Sequence, residues 1–162
     1  MAKHHVERIL PYAPEQLFAL VGDVREYPQF VPWIRSLRTG PERADGEGVT
    51  VLDADAAVGF SFLKERFSTR VRRDANDLLI DVSLLSGPFR RLSNQWRFQA
   101  DPLGTKIIFD IDFEFKSKLL DIMLLANFDL AVGKLISCFE GRAKALYPPT
   151  PLIPANAGTQ IK

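Results

Sequence analysis

The strictest pattern in the chain covers residues 105–116. Ile107, Phe109, Ile111, Phe113 and Phe115 fall on one side, and Lys106, Asp110, Asp112, Glu114 and Lys116 on the other, with Ile108 the single exception. Side chains alternate across a strand, so this period predicts an antiparallel sheet with one dry and one wet face. Residues 89–100 repeat the pattern: Leu92, Trp96 and Phe98 on one side, Arg91, Ser93, Gln95, Arg97 and Gln99 on the other. Asn94 interrupts the apolar side. Further strands are predicted at 4–10, 34–39, 49–58, 62–73 and 78–84, with Gly59 separating the third of these from the fourth. Gly40-Pro41, Asp45-Gly46-Glu47-Gly48, Asp74-Ala75-Asn76-Asp77 and Ser86-Gly87-Pro88 supply the turns.

In two regions the apolar period lengthens to that of a helix. Leu17, Phe18, Val21 and Val24 define the first, with Pro14 in its first turn and Glu15 near the positive end of its dipole. It runs into Tyr27-Pro28-Gln29-Phe30-Val31-Pro32-Trp33, where two prolines break the helix and stiffen its exit. The second region starts at Ser117, a good N-cap, and reaches Tyr147. Leu120, Leu124, Phe128, Leu135, Phe139 and Leu146 form its apolar side, with Ala131 and Val132 between them, and Asn127 divides it into a short and a long helix. Residues 148–162 carry four prolines and almost no apolar pattern, which predicts a flexible tail.

An antiparallel sheet with one apolar face must bury that face, and the last helix is the only element long enough to cover it. The expected fold is therefore α+β, a curved antiparallel sheet gripping a long C-terminal helix, in one domain over 1–147. A length of 162 residues suits one domain. The 21 basic and 20 acidic residues leave a net charge of +1, which argues against a strong general affinity for nucleic acid or anionic lipid. Cys138 is the single cysteine, so an internal disulfide is excluded. No stretch is long and apolar enough to cross a bilayer, and the first residues lack the plan of a secretory signal. A cytoplasmic protein is expected, with peripheral contact at the inner face of the cytoplasmic membrane.

Candidate chemistry is sparse. His4 and His5 are neighbours on a strand and face opposite ways, which makes a poor metal site without further ligands. Asp110, Asp112 and Glu114 share the wet face, where Arg91 and Arg97 from the adjacent strand are placed to neutralise them. Cys138 has no histidine or basic cluster beside it and reads as a small hydrophobe. The chain contains no phosphate loop and no Cys-x-x-Cys pair. The inward aromatics Trp33, Phe67, Trp96, Phe109, Phe113 and Phe128 line a pocket or simply fill a core; the pattern alone leaves both open. Gly133 and Gly141 sit inside the long helix at a cost of up to about 1 kcal/mol each, as room for a ligand or as drift.

Four segments carry a family resemblance: Tyr27-Pro28-Gln29-Phe30-Val31-Pro32-Trp33; Gly87-Pro88-Phe89 with Asn94-Gln95-Trp96-Arg97-Phe98; Asp112-Phe113-Glu114-Phe115-Lys116-Ser117; and Cys138-Phe139-Glu140-Gly141-Arg142-Ala143. In this order, over about residues 4–147, the chain resembles the coenzyme Q-binding family of the START-like, or polyketide cyclase, superfamily. That family also includes bacterial proteins described as ribosome-association toxins. The resemblance implies a helix-grip domain whose cavity holds a ubiquinone-like isoprenoid quinone or similar lipid. It also implies a quinone-binding or chaperoning role in respiration, with no catalytic residue, no metal and no required cofactor.

On this reading Trp33, Phe67, Trp96, Phe109 and Phe113 line the cavity with Phe128, Val132 and Leu135 of the helix. Tyr27, Pro28, Phe30 and Pro32 shape its mouth, and Asn94 or Arg97 meets the headgroup. The alternative is an interaction protein that binds the large ribosomal subunit and interferes with subunit association. Arg66, Arg70, Arg72, Arg73, Arg90 and Arg91 would then form an RNA-facing patch. A cyclase-type enzyme ranks third, because no acid–base group points inward.

Overall fold

A computed structural model describes residues 2–60 and 63–147. Eight strands form one antiparallel sheet: β1 (Ala2–Leu10), β2 (Ile34–Thr39), β3 (Arg43–Ala44), β4 (Val49–Phe60), β5 (Leu63–Asp74), β6 (Leu79–Ser86), β7 (Phe89–Asp101) and β8 (Gly104–Phe115). Their order across the sheet is β1-β8-β7-β6-β5-β4-β2, with β3 paired to β4 outside this path. The helices are α1 (Pro14–Gly22), α2 (Lys118–Ala126) and α3 (Phe128–Leu146), with a 3-10 helix at Val24–Gln29. The α+β architecture expected from the periodicity is the one observed.

Most of the sheet is a meander, yet its first strand pairs with its last: Val6 lies opposite Phe109 and His4 opposite Ile111. The junction after β1 is pinned to the start of β8, where buried Thr105 donates its hydroxyl proton to the Tyr12 carbonyl at 2.6 Å. The preceding Gly104 has φ +133°, and a Cβ there would collide with the Leu10 carbonyl, so only glycine fits this turn.

Two boundaries differ from the expectation. Gly59 does not separate two strands: β4 continues through it, and Gly59 pairs with Lys64 of β5. A Cβ at Gly59 would meet the Arg35 side chain, and its N–H donates to the Trp33 carbonyl at 2.8 Å, so the glycine serves close approach and not a turn. The expected strand start at position 62 lies outside the described residues, as does the tail 148–162. Second, α1 ends at Gly22, ahead of the prolines and of Val24, and Pro28 sits inside the 3-10 helix. Arg73 Nη1 donates to the Gly22 carbonyl at 3.1 Å, supplying a charged partner to the last turn of α1.

The division at Asn127 is observed, with α2 and α3 bent by 68° from each other. Ser117 caps α2 by accepting from the Leu120 N–H at 3.3 Å, and Asp121 Oδ1 accepts from the Phe115 N–H at 3.1 Å. The short helix is thereby tied to the end of β8. Among the described residues no single helix is long and apolar enough to cross a membrane.

Candidate functional site

The two faces of the sheet follow from its register. Val6, Phe109, Trp96 and Ile80 form one row across β1, β8, β7 and β6, and His4, Ile111, Asn94 and Val82 form the next inward row. These rows face α1 and α3 and join a core that includes Leu17, Phe98, Phe113, Ile136 and Phe139. The outward rows carry the charges.

Within the grip, Trp96 lies against Phe109 with ring centroids 4.3 Å apart and meets Phe139 of α3 edge-on at 5.5 Å. Phe113 stacks on Phe128 at 5.9 Å, and both rings are buried. Val132 is buried beside them and Leu135 is partly so. Phe67 packs edge-on to Phe89 at 5.4 Å, toward the other end of the sheet. Trp33 is half-buried in the loop before β2.

The expected mouth residues behave as a clasp. Tyr27 and Phe30 each pack edge-on against Phe139, at 5.4 and 5.5 Å, and the Arg142 guanidinium lies over Phe30 at 5.3 Å. The Tyr27 hydroxyl donates to the Val21 carbonyl, and desolvation pushes this phenol well above its ordinary range, so it stays protonated. Pro28 lies in the 3-10 helix beside them, and Pro32 is exposed.

The apolar filling is uneven. Val82, Leu84, Leu92 and Ile111 in the middle of the sheet pack on the core yet keep part of their surface accessible, as do Leu120, Leu124 and Leu135 on the helices. Of these, the sequence assigns only Leu135 to a cavity lining and places Leu92, Ile111, Leu120 and Leu124 no further than on apolar faces, because periodicity reports a face and not how fully a partner covers it. α2 has no buried residue at all. Its Leu119 and Ile122 are 66% and 64% exposed, and Leu125 and Leu130 add to the uncovered apolar surface at that end.

Two polar atoms on the inner face stand out. His4 Nε2 and Asn94 Oδ1 are buried, and neither has a hydrogen-bond partner among the described residues. The His4 ring is stacked on Phe128 at 3.7 Å and faces Phe113 at 5.8 Å. The expectation that Arg97 meets a ligand inside is corrected: it projects from the opposite face, where its guanidinium pairs with Asp110 at 3.2 Å. Strand alternation forces this once Trp96 points inward.

Across the outer face runs an open trough of about 500 Å³. Lys3, Asp112, Ser93 and Ser83 flank it on one side, and His5, Asp110, Gln95 and Asp81 on the other. The expected neutralisation of the acids holds: Arg91 bridges Asp112 at 3.0 Å and Glu114 at 2.5 Å. His5 joins this face, donating to Asp110 at 2.5 Å and pairing with Glu7 at 2.8 Å. Hydrogen bonds to Glu7 and Asp110 hold its imidazole above the usual value.

Most of the expected basic patch is neutralised by its own neighbours. Arg70 pairs with Asp53 at 2.9 Å, Arg72 with Asp45 at 3.2 Å, Arg73 with Glu42, and Arg90 with Glu114 at 3.9 Å. Arg73 also lies on the inward side, in register with Ile80, and cannot share an outward patch. Cys138 is partly buried, and desolvation pushes its thiol up, away from thiolate chemistry. Among the described residues no group of three or more His, Cys, Asp or Glu side chains is placed to hold a metal.

A curved antiparallel sheet closed over a long C-terminal helix defines the START-like helix-grip class. The sequence profile of the family described as polyketide cyclase/dehydrase and lipid transport matches residues 10–140, and the chain belongs to that family. It is 37% identical over 140 residues to the ribosome association toxin RatA of Rickettsia prowazekii, covering 85% of this chain and 92% of that one. It is 32% identical over 144 residues to the mitochondrial coenzyme Q-binding protein coq10 of Schizosaccharomyces pombe, covering 87% and 86%. The solution structure of the 18 kDa protein CC1736 from Caulobacter crescentus is 59% identical and superposes with a TM-score of 0.78, over 90% of this chain and 98% of that one.

Proposed function

We propose that this protein binds an isoprenoid quinone or a closely related lipid between the sheet and α3, and shelters it as a binding or chaperoning factor for respiration. The observation that carries this reading is the partly covered apolar surface of the sheet's inner face, Val82, Leu84, Leu92 and Ile111, together with that of Leu120, Leu124 and Leu135 on the helices. Each buried methylene contributes about 0.8 kcal/mol, so a few isoprene units suffice for micromolar binding after ordering costs. The name of the fission yeast relative, a coenzyme Q-binding protein, supports the quinone over other lipids. The role proposed is binding and not turnover, which the name of the fission yeast relative supports.

The uncovered leucines and isoleucine of α2 are the surface through which such a protein would touch a membrane from the cytoplasmic side to load and release lipid. Protein purified from its native host is extracted with organic solvent and the extract analysed by mass spectrometry. A stoichiometric quinone is expected. An extract without quinone, together with no tryptophan quenching by added quinone, overturns the reading.

A second reading follows from the 37% identity to a ribosome association toxin: the chain binds the large ribosomal subunit and hinders subunit joining. The paired arginines leave little unneutralised positive charge for RNA among the residues that would carry it. Sedimentation with ribosomal subunits across a salt series separates the two. Absence from the subunit fractions at low salt ends the ribosomal reading.

A further inference from the structure

We infer that His4 and Asn94 form a polar subsite inside the grip, which recognises the oxygen-bearing headgroup of the bound lipid, the chemistry of a quinone or quinol. The inference rests on the lipid-binding reading above and assigns the end of the ligand that the apolar residues leave unexplained.

His4 lies on β1 and Asn94 on β7, and both pair in register with Ile111 of β8 between them. They therefore share one row of the inner face. His4 Nε2 and Asn94 Oδ1 are buried without a partner among the described residues. Buried polar side-chain atoms are nearly always hydrogen-bonded, because burial removes water and an orphan recovers nothing for it. Two orphans in one row of an otherwise apolar face mark a place where a bound group completes the bonding.

The two side chains flank that of Ile111, one strand interval to either side, so a headgroup lying over Ile111 has one orphan at each edge. An imidazole and a carboxamide each offer both a donor and an acceptor, so the pair serves carbonyl oxygens or ring hydroxyls alike. The stack of His4 on Phe128 holds the imidazole plane fixed, and Val82 and Ile111 supply apolar contact beside the ring.

The test compares a ubiquinone carrying two isoprene units with farnesene, an isoprenoid hydrocarbon without a headgroup. Isothermal titration calorimetry reads binding of both, and quenching of Trp33 and Trp96, the only tryptophans, gives a second measure for the quinone. The variants are His4→Phe, which keeps the stack on Phe128, and Asn94→Leu, which keeps the volume; each deletes an orphan, and thermal melts verify folding. If one variant fails to fold, the other lies on a different strand and carries the comparison.

Quinone affinity is expected to fall roughly five- to tenfold in each variant, the loss of one hydrogen bond, with farnesene affinity unchanged. Unchanged quinone affinity with intact wild-type binding overturns the subsite and leaves the lipid reading standing, the orphans then being satisfied by water. An equal loss for both ligands also overturns it. A wild-type protein that binds neither overturns both readings.

Discussion

The ring of His4 lies 3.7 Å from that of Phe128, nearly parallel at 20°. This stack joins the first strand of the sheet to the first turn of the last long helix. It closes the grip along the β1 edge, while Tyr27 and Phe30 close it near the far end of the same helix by packing on Phe139. Between these two fastenings lie the partly covered residues of the sheet.

Phe139 is the hub of the second fastening, 2% exposed and in ring contact with Tyr27, Phe30 and Trp96. Phe139→Ala deletes three edge-on contacts and leaves a cavity, and is expected to cost about 3–5 kcal/mol. Denaturant unfolding monitored by circular dichroism measures the change. A loss below about 1 kcal/mol would mean that the aromatic clasp does not hold α3.

His5, Glu7 and Asp110 form a pH-sensitive cluster on the β1–β8 pair. Hydrogen bonds to Glu7 and Asp110 raise His5 above 6.5, so its contribution is full below that value and is lost as pH rises through the raised one. The bond to His5 lowers Glu7 and Asp110 below 4.5 and 3.8, so theirs is present above those values and lost as pH falls. The cluster is therefore strongest between pH 4.5 and 6.5. Imidazole resonances followed by NMR across pH are expected to give His5 a midpoint above 6.5, with the upward shift abolished in a Glu7→Gln, Asp110→Asn variant. A midpoint at or below 6.5 contradicts the geometry.

Gly133 and Gly141 lie within α3, and a Cβ added at either meets nothing within 4 Å. Neither is demanded by close packing. Gly141 is exposed, and Gly141→Ala is expected to stabilise the protein by up to about 1 kcal/mol through the restricted unfolded chain and better helix propensity. A raised thermal midpoint is the readout. Gly133→Ala stabilises similarly in the free protein, and a simultaneous loss of quinone binding would place the ligand against that turn of the helix.

Leu119 and Ile122 share the uncovered side of α2. Replacing both with Ser changes stability by about 0.5 kcal/mol or less, as for other exposed sites. Flotation with vesicles containing anionic phospholipid is expected to fall at least tenfold, since each apolar side chain contributes about 1.5–3 kcal/mol when buried. Equal flotation of the double variant and the parent rules out α2 as the contact surface.

Much of the architecture is legible in single residues. The alternation from Lys106 to Lys116 locates β8 and tells its dry side from its wet one, because a strand's side chains must alternate. Asp110, Asp112 and Glu114 find Arg91 and Arg97 as strand adjacency predicts. Ser117 and Asn127 mark the two helix boundaries by capping and interruption. The break expected at Gly59 misreads a glycine kept small for Arg35, since local pattern cannot distinguish a turn from a close approach.

Short-range periodicity and motifs in order are enough to specify the α+β class, the sheet's two faces, the split C-terminal helix and the family. Which side chains meet is settled by the folded arrangement alone. It set His4 opposite Ile111 and in line with Asn94, turned Tyr27 and Phe30 onto Phe139, and left Leu84 and Leu92 partly uncovered. The reason is physical: local period sets the face a residue occupies, whereas its neighbour on that face depends on the register of strands far apart in the chain.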